Sequence, residues 1–376
     1  MPLTSPLRAA APLAVAAALL FSACGSDDDD DAAAGGGDGA ATSTAAAGAA
    51  PADYAAVKGY LAEHTARLVT ETGKLREGAQ QYHDLAQSVD FDYDELLSQH
   101  ADEVAPIIEK LQTDFRAANP AYEEMEGVVA GVPELADYDV TIDAGGDASD
   151  PENAVPFTIK TKAGKEYKQP GNFFFITETA IFGTEDKFAA KGVKPDLDGD
   201  GEISFGESLP DADFLQAATV DFEQTAKDLQ ASGEKWTPEA SDVFTAVVVM
   251  TPTMSEYFEA WKNSRFVAGS KATESGFVGA SRLEDIASIL SGLVVIYDNI
   301  EPQIAEEDPE QAEQTGASLD ELLAFVQKVR DEEKGGKRFT AEEAETLGTD
   351  AQEQAEAIAG QVSQAAGKLN IELEEG

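Results

Sequence analysis

The chain has one cysteine, three histidines and two tryptophans in 376 residues. A single cysteine, Cys24, rules out an internal disulfide. His64, His83 and His100 all fall before residue 101, too few and too clustered for a cysteine–histidine metal site. There is no nucleophile elbow, no P-loop and no dinucleotide fingerprint, so the common acyl-transfer and nucleotide chemistries find no motif. Positive charge is also scarce. Lysine and arginine total 26 against 72 acids, a formal net charge of −46. That balance excludes nucleic-acid binding, which needs basic patches, and attraction to anionic lipid head groups. It suits a soluble acidic surface and the handling of cations.

The N-terminus is not read as part of the fold. Met1–Arg8 carries one positive charge, and Ala9–Phe21 is a short apolar run, shorter than a bilayer span. Ser22 and Ala23 then precede Cys24. This is the pattern of a secretory signal over 1–23, with an ending that resembles a bacterial lipoprotein signal. Cys24 is the expected lipidation site, so the expected location is extracytoplasmic, with the chain held to the membrane by lipid. Residues 24–52 are rich in Asp, Gly, Ala, Ser and Thr and read as a flexible tether. About 320 residues are left, ample for a large core.

From Ala52 onward the periodicity is helical. Helices are expected at about 52–85, 93–118 (with Pro106 inside, kinking or splitting it) and 121–129. Residues 131–171 break the pattern with glycines and prolines. Within them, Phe157–Lys160 and Lys165–Lys168 flank Ala163-Gly164 and suggest a β-hairpin. Asn172 caps an apolar helix, Phe173–Phe182, closed by Gly183. Further helices are expected at about 211–231, 238–266 (with Pro252 inside), 281–305, 319–334 and 341–369, the last with a Thr340/Glu343 capping box. The expected fold is all-α: two helical bundles side by side, about 53–187 and 211–374, with a small hairpin insert and a lone calcium loop between them.

That loop is Asp196–Glu207. Oxygen-bearing side chains stand at loop positions 1, 3, 5, 9 and 12: Asp196, Asp198, Asp200, Ser204 and Glu207. Gly201 is at position 6, and Glu202, at position 7, would offer its carbonyl. Calcium is a hard cation satisfied by six to eight oxygens, and alternate residues of a tight loop supply them. Pro195 argues against an incoming helix, because the residue before proline resists the helical region. The loop therefore reads as a lone structural calcium site and not a paired sensor. Two other pairs share a helix face: His100 with Glu103, and His64 with Glu71. Either could offer ligands to a metal, and either is common in an acidic helix. Glu178 stands out as an acid inside an apolar helix. A buried carboxylate needs a partner, and Arg116, Arg265 and Arg282 are the candidates.

Tyr122–Val129, Ile142-Asp143-Ala144, Glu178–Gly183 and Ser281–Asp285 resemble the imelysin-like family, which includes the EfeO/EfeM-type iron-uptake lipoproteins and the imelysin peptidases. The resemblance covers most of Tyr54–Leu373. It implies two helical bundles with a cleft between them, and an extracytoplasmic role linked to iron or another transition metal, with a membrane partner of an uptake system. It implies that Glu126, Asp143, Glu178 and Arg282 line the cleft. The family's G-x-H-x-x-E signature is altered here: aligned on Glu178, Phe175 takes the histidine position and Phe173 the glycine position. Three readings follow: a metal-uptake lipoprotein, a calcium-stabilised interaction scaffold that has lost the family metal site, and an imelysin-type peptidase. The loss of that histidine stands against the last, because a metal hydrolase needs an open-site metal to activate water. The oligomeric state has no signature in the sequence.

Overall fold

The computed structural model describes residues 52–374. The signal, Cys24 and the tether up to residue 51 lie outside them. Eleven α-helices and one two-stranded sheet follow in order. Helix α1 (Tyr54–Ser88) and α2 (Tyr93–Gly131) are long and begin at aspartate caps. Asp53 accepts from the Ala56 amide and Asp92 from the Glu95 amide, satisfying amides that have no partner inside the helix. Neither Pro106 nor Pro120 ends α2. The departure from helical geometry falls at His100 (φ −132°, ψ 19°). The expected separate helix at 121–129 is thus the C-terminal part of one continuous element.

After α2 come a short turn of helix, α3 (Ala136–Asp139), and a π-turn, Val140–Ala144. The hairpin forms where expected: β1 (Thr158–Lys160) pairs antiparallel with β2 (Glu166–Lys168), Ile159 opposite Tyr167. It is fastened to the body by stacked rings. Phe157 stacks on Phe173 (4.6 Å), and Phe173 on Phe222 (5.3 Å). Helix α4 (Phe173–Phe182) starts at Asn172, whose side chain accepts from the Phe175 amide, and stops at Gly183, φ 68°. That left-handed conformation carries no Cβ penalty in glycine. Every residue of α4 except Phe175 is buried.

Helix α5 (Ala212–Lys235) packs along α1 and α4. The chain beyond Gly183 therefore stays with the first group of helices, α1, α2, α4 and α5. The division expected at the loop falls after α5. The cause is apolar: Phe214, Leu215, Phe222 and Leu229 repeat along one buried face of α5. The second group is α6 (Ala240–Met250), α7 (Met254–Asn263), α9 (Arg282–Glu307), α10 (Pro309–Lys334) and α11 (Ala341–Leu369), with the single turn α8 (Arg265–Ala268) between α7 and α9. Pro252 separates α6 from α7 through a short 3₁₀ turn. The expected start of α10 at 319 moves to Pro309, which sits at the first helical position after its cap Asp308. The capping box at Thr340 and Glu343 is present.

The two groups meet where α2 crosses α9. Glycines permit the approach. A Cβ on Gly127 would press on Leu293 Cδ2 at 2.7 Å, and one on Gly292 would overlap the Glu124 carbonyl oxygen. This crossing sets the position of the acids on α2 relative to the start of α9. No helix among the described residues is long and apolar enough to cross a membrane.

Candidate functional site

Glu123 and Glu126 are three apart on α2 and share its face toward α9. Both are buried, at 0% and 3% exposure. The π-turn carries Asp143 to the same place, and α3 brings Asp139 beside it. The wider π geometry is held by the Gly145 amide donating to the Val140 carbonyl at 2.9 Å. It is pinned to α4 by the Asn172 side-chain amide, which donates to the carbonyls of Asp143 and Gly145. Single π-turns of this kind recur at functional sites. From the other side, the first turn of α9 supplies Arg282 and Asp285.

Five carboxylates therefore surround one guanidinium. Arg282 Nη1 lies 3.1 Å from Asp285 Oδ2 and 3.8 Å from Glu123 Oε2, and Nη2 lies 3.8 Å from Asp143 Oδ2. Its plane rests between Tyr257 (4.4 Å) and Phe277 (4.3 Å). Tyr257 donates its hydroxyl to Glu126 Oε1 at 3.0 Å, Tyr122 to Asp139 Oδ1 at 2.6 Å, and Asn119 its amide to Glu123 Oε1 at 3.0 Å. Glu123 Oε2 and Glu126 Oε2 are buried without a hydrogen-bond partner among the described residues.

Burial is the main force on these acids, because a charge loses solvation there. It raises Glu126 to about 8, with the neighbouring charges of Asp143 and Asp139 adding to it. Burial and Asp143 take Asp139 to about 7. Asp285 rises to about 6, burial outweighing the attraction of Arg282. Glu123 is pushed well up by burial and by Asp285, and Asp143 is raised by burial against the pull of Arg282. Arg282 is held firmly charged: burial opposes its charge, but Asp143, Asp285 and Glu123 together prevail. The cluster stores protons that a cation could replace.

Of the sequence candidates, Glu126, Asp143 and Arg282 come together in this cluster. Glu178 lies one step away. Asp143, Asp285 and Glu178 line a common cavity of about 480 Å³, with Phe175 on its wall. Among the described residues no arginine lies within 4.0 Å of the Glu178 carboxylate. Its Oε1 accepts from the amides of Val278 (3.0 Å) and Gly279 (2.8 Å) in the loop before α9. The expectation of an ion pair is corrected: two backbone donors satisfy the carboxylate. Burial still lifts it to about 7, against those amide bonds. Glu123, Asp139 and Asp285 were not singled out by sequence. Asn119, Glu123 and Glu126, at spacings of four and three on the face of buried Tyr122, were the available sign for α2.

The remaining histidine readings resolve locally. His100 Nδ1 is 2.8 Å from Glu103 Oε1 on an exposed surface. His64 pairs with Glu124 (2.9 Å), while Glu71 goes to Lys74 (2.8 Å), so His64 and Glu71 do not meet.

The loop Asp196–Glu207 has no helix flanking it in sequence, and it rests on the body through Phe205, stacked on Phe182 (5.8 Å), and through the Gly206 carbonyl, which accepts from the Gln112 side-chain amide (2.8 Å). Asp196 accepts from the amides of Gly199 (2.7 Å) and Gly201 (2.9 Å), Asp198 from Asp200 (3.0 Å), and Asp200 from Glu202 (2.8 Å). Glu207 folds back to the amides of Leu197, Asp198 and Ser204. Gly199, Gly201 and Gly206 all have positive φ. Oxygens of Asp196, Asp198 and Glu207 lie within 4.8 Å of one another, as do those of Glu123, Glu126 and Asp143. Two ligands on one ion, each about 2.4 Å from it, can be at most about 4.8 Å apart. Both groups meet that limit, and both are all-oxygen sets of the kind hard cations take.

The family model described as imelysin matches residues 60–364. No curated protein matches the chain.

Proposed function

The chain belongs to the imelysin family, and from that premise we propose that it is a lipid-anchored, extracytoplasmic metal-binding protein of an uptake system, with iron among the metals it handles. In this reading Glu123, Glu126 and Asp143 hold the cation, and Arg282 and the tyrosines fix their positions. The observation that carries it is the convergence of three buried carboxylates, two of which keep an oxygen with no hydrogen-bond partner among the described residues. Such atoms are costly to leave unsatisfied, and a bound cation would satisfy them while displacing protons. Asp143, with Asp285, puts the edge of the cluster on the cavity beside Glu178. Cys24 is the lipid-bearing residue, and the loop Asp196–Glu207 binds calcium for structure.

The reading is non-catalytic. Phe175 and Glu178 both flank Gly276 on the cavity wall, so a phenyl ring occupies the place where the family signature puts an imidazole. A hydrolytic metal site needs ligands that leave a position open for water, and this ring supplies none.

The test is a titration of Fe³⁺ (as a weak chelate), Fe²⁺, Mn²⁺ and Zn²⁺ into calcium-loaded protein. One further equivalent is expected, lost in Glu126→Gln and Asp143→Asn and kept in Glu207→Gln. If metal enters only the loop, the uptake role fails and the calcium-stabilised interaction scaffold takes its place.

A further inference from the structure

A second cavity, of about 560 Å³, opens on the far side of the loop that precedes α9. Its charge is opposite to that of the rest of the chain. Arg116, Arg265, Lys334 and Arg338 line it, against Glu284 and Glu333. Both acids are already engaged. Glu284 is 2.5 Å from Lys334, and Glu333 accepts the indole N–H of Trp261 at 2.7 Å. None of the three arginines has a carboxylate within 4.0 Å among the described residues. In a protein with 72 acids and 26 basic residues, three arginines that face one cavity and share no acid are unexpected.

Two of the guanidiniums are also held in place. Arg116 Nε donates to the Gly279 carbonyl at 2.8 Å, and Arg265 Nη1 to the Val278 carbonyl at 3.3 Å. These are the two residues whose own amides donate to Glu178, so one short loop turns its N–H groups toward that carboxylate and its carbonyls toward the arginines. Aromatic rings support the arrangement. Arg116 lies over Phe182 (5.0 Å), Phe182 stacks on Phe205 (5.8 Å), and Arg265 lies over Phe205 (3.5 Å). Arg265 is depressed below its ordinary value, by burial first and then by the charges of Arg116 and Arg338. Like charges kept this close repel one another, and a bound anion would remove the repulsion. The start of α9, at Ser281, adds the positive end of a 26-residue helix to the same cavity.

We propose that this cleft binds a multivalent oxyanion, a phosphate or a polycarboxylate, through Arg116, Arg265 and Arg338. The planar fork of a guanidinium matches both groups and holds either by paired, charge-assisted bonds. The overall negative charge does not forbid this, because at physiological salt it is screened over about 8 Å, while the three arginines act at contact distance. None of the cluster's carboxylates lines this cleft, although Asn119 and Ala280 border both cavities, so the proposal stands whether or not that cluster takes a metal.

Calorimetric titration of the full chain with inorganic phosphate and, separately, with tricarballylate tests it in dilute buffer at neutral pH. Saturable binding of one anion per chain is expected for at least one probe, weakening as sodium chloride is added. The probe that binds more tightly identifies the source as phosphate or carboxylate. Arg265→Ala and the exposed Arg338→Ala should each weaken it by about tenfold, and Arg265→Lys should fail to restore it, since charge without the fork is insufficient. Lys160→Ala, remote on the hairpin, should change nothing. Absence of saturable binding by both probes overturns the proposal. So does binding that Arg338→Ala and Arg265→Ala leave unchanged while circular dichroism shows both variants folded.

Discussion

Replacing Arg282 by leucine should destabilise the protein in a way that depends strongly on pH. Arg282 is 5% exposed and is, among the described residues, the one cation within 4.0 Å of Glu123, Asp143 and Asp285. Removing one member of a buried ion pair typically costs about 3–5 kcal/mol, because the remaining charge has no compensation. Here the carboxylates have an escape, which is to take up protons. The acids of the cluster and Glu178 already hold protons more tightly folded than unfolded: Glu126 at about 8, Asp139 and Glu178 at about 7, Asp285 at about 6, with Glu123 and Asp143 raised as well. Against an ordinary carboxylate value of about 4, each contributes stability that is complete below about pH 4. That contribution is lost as pH rises through the folded values. Without Arg282 the folded values of its neighbours climb further, and the loss steepens. The expected penalty is therefore about 3–5 kcal/mol at pH 8 and about half that at pH 5. Urea unfolding at pH 5, 6.5 and 8, with chelator present to remove metal, measures it. An equal penalty at all three pH values would refute the electrostatic account. It would mean that Arg282 acts by filling space between Tyr257 and Phe277.

Three other outcomes follow from separate parts of the structure. Glu207→Gln removes a carboxylate that the amides of Ser204, Asp198 and Leu197 hold below its usual range; calcium should raise the melting temperature of the parent chain, and the variant should lose most of that rise in differential scanning calorimetry. Calcium at about a hundred times its dissociation constant contributes about 2.7 kcal/mol, so a melting temperature insensitive to chelator in the parent would count against a structural calcium. Phe175→His places an imidazole near Glu178 on the cavity wall, and Zn²⁺ affinity by competition with a chromogenic chelator should rise at least about tenfold; no gain would mean that the two side chains cannot meet on one ion. Gly292→Ala puts a Cβ against the Glu124 carbonyl, and chemical denaturation should show a loss of about 1–3 kcal/mol, unless α2 and α9 can separate without cost.

Much of the local structure was legible from sequence, and the reason is that its causes are local. Asn172 and Gly183 bound α4, Thr340 and Glu343 begin α11, and the hairpin follows from its flanking strands and turn. Proline was the less reliable guide. Pro120 suggested a boundary that does not exist, because packing of the long α2 against α1 and α9 outweighs the loss of one hydrogen bond. The allocation of α5 was misread for a related reason: its apolar face finds α1, and nothing in its own periodicity says which helix it will cover. Likewise, Glu178 announced that it needed a partner, but two amides from a loop a hundred residues away supply it.

The sequence by itself determined the all-α character, the caps, the acidic balance and the twelve-residue loop pattern, since each depends on residues a few positions apart. Tertiary structure alone decided which acids matter. Glu123 and Asp285 look like any others among 72. They become a site because Gly127 and Gly292 let α2 and α9 touch, and because a π-turn lays Asp143 beside them. Burial then changes their chemistry, and burial is a property of the assembled chain.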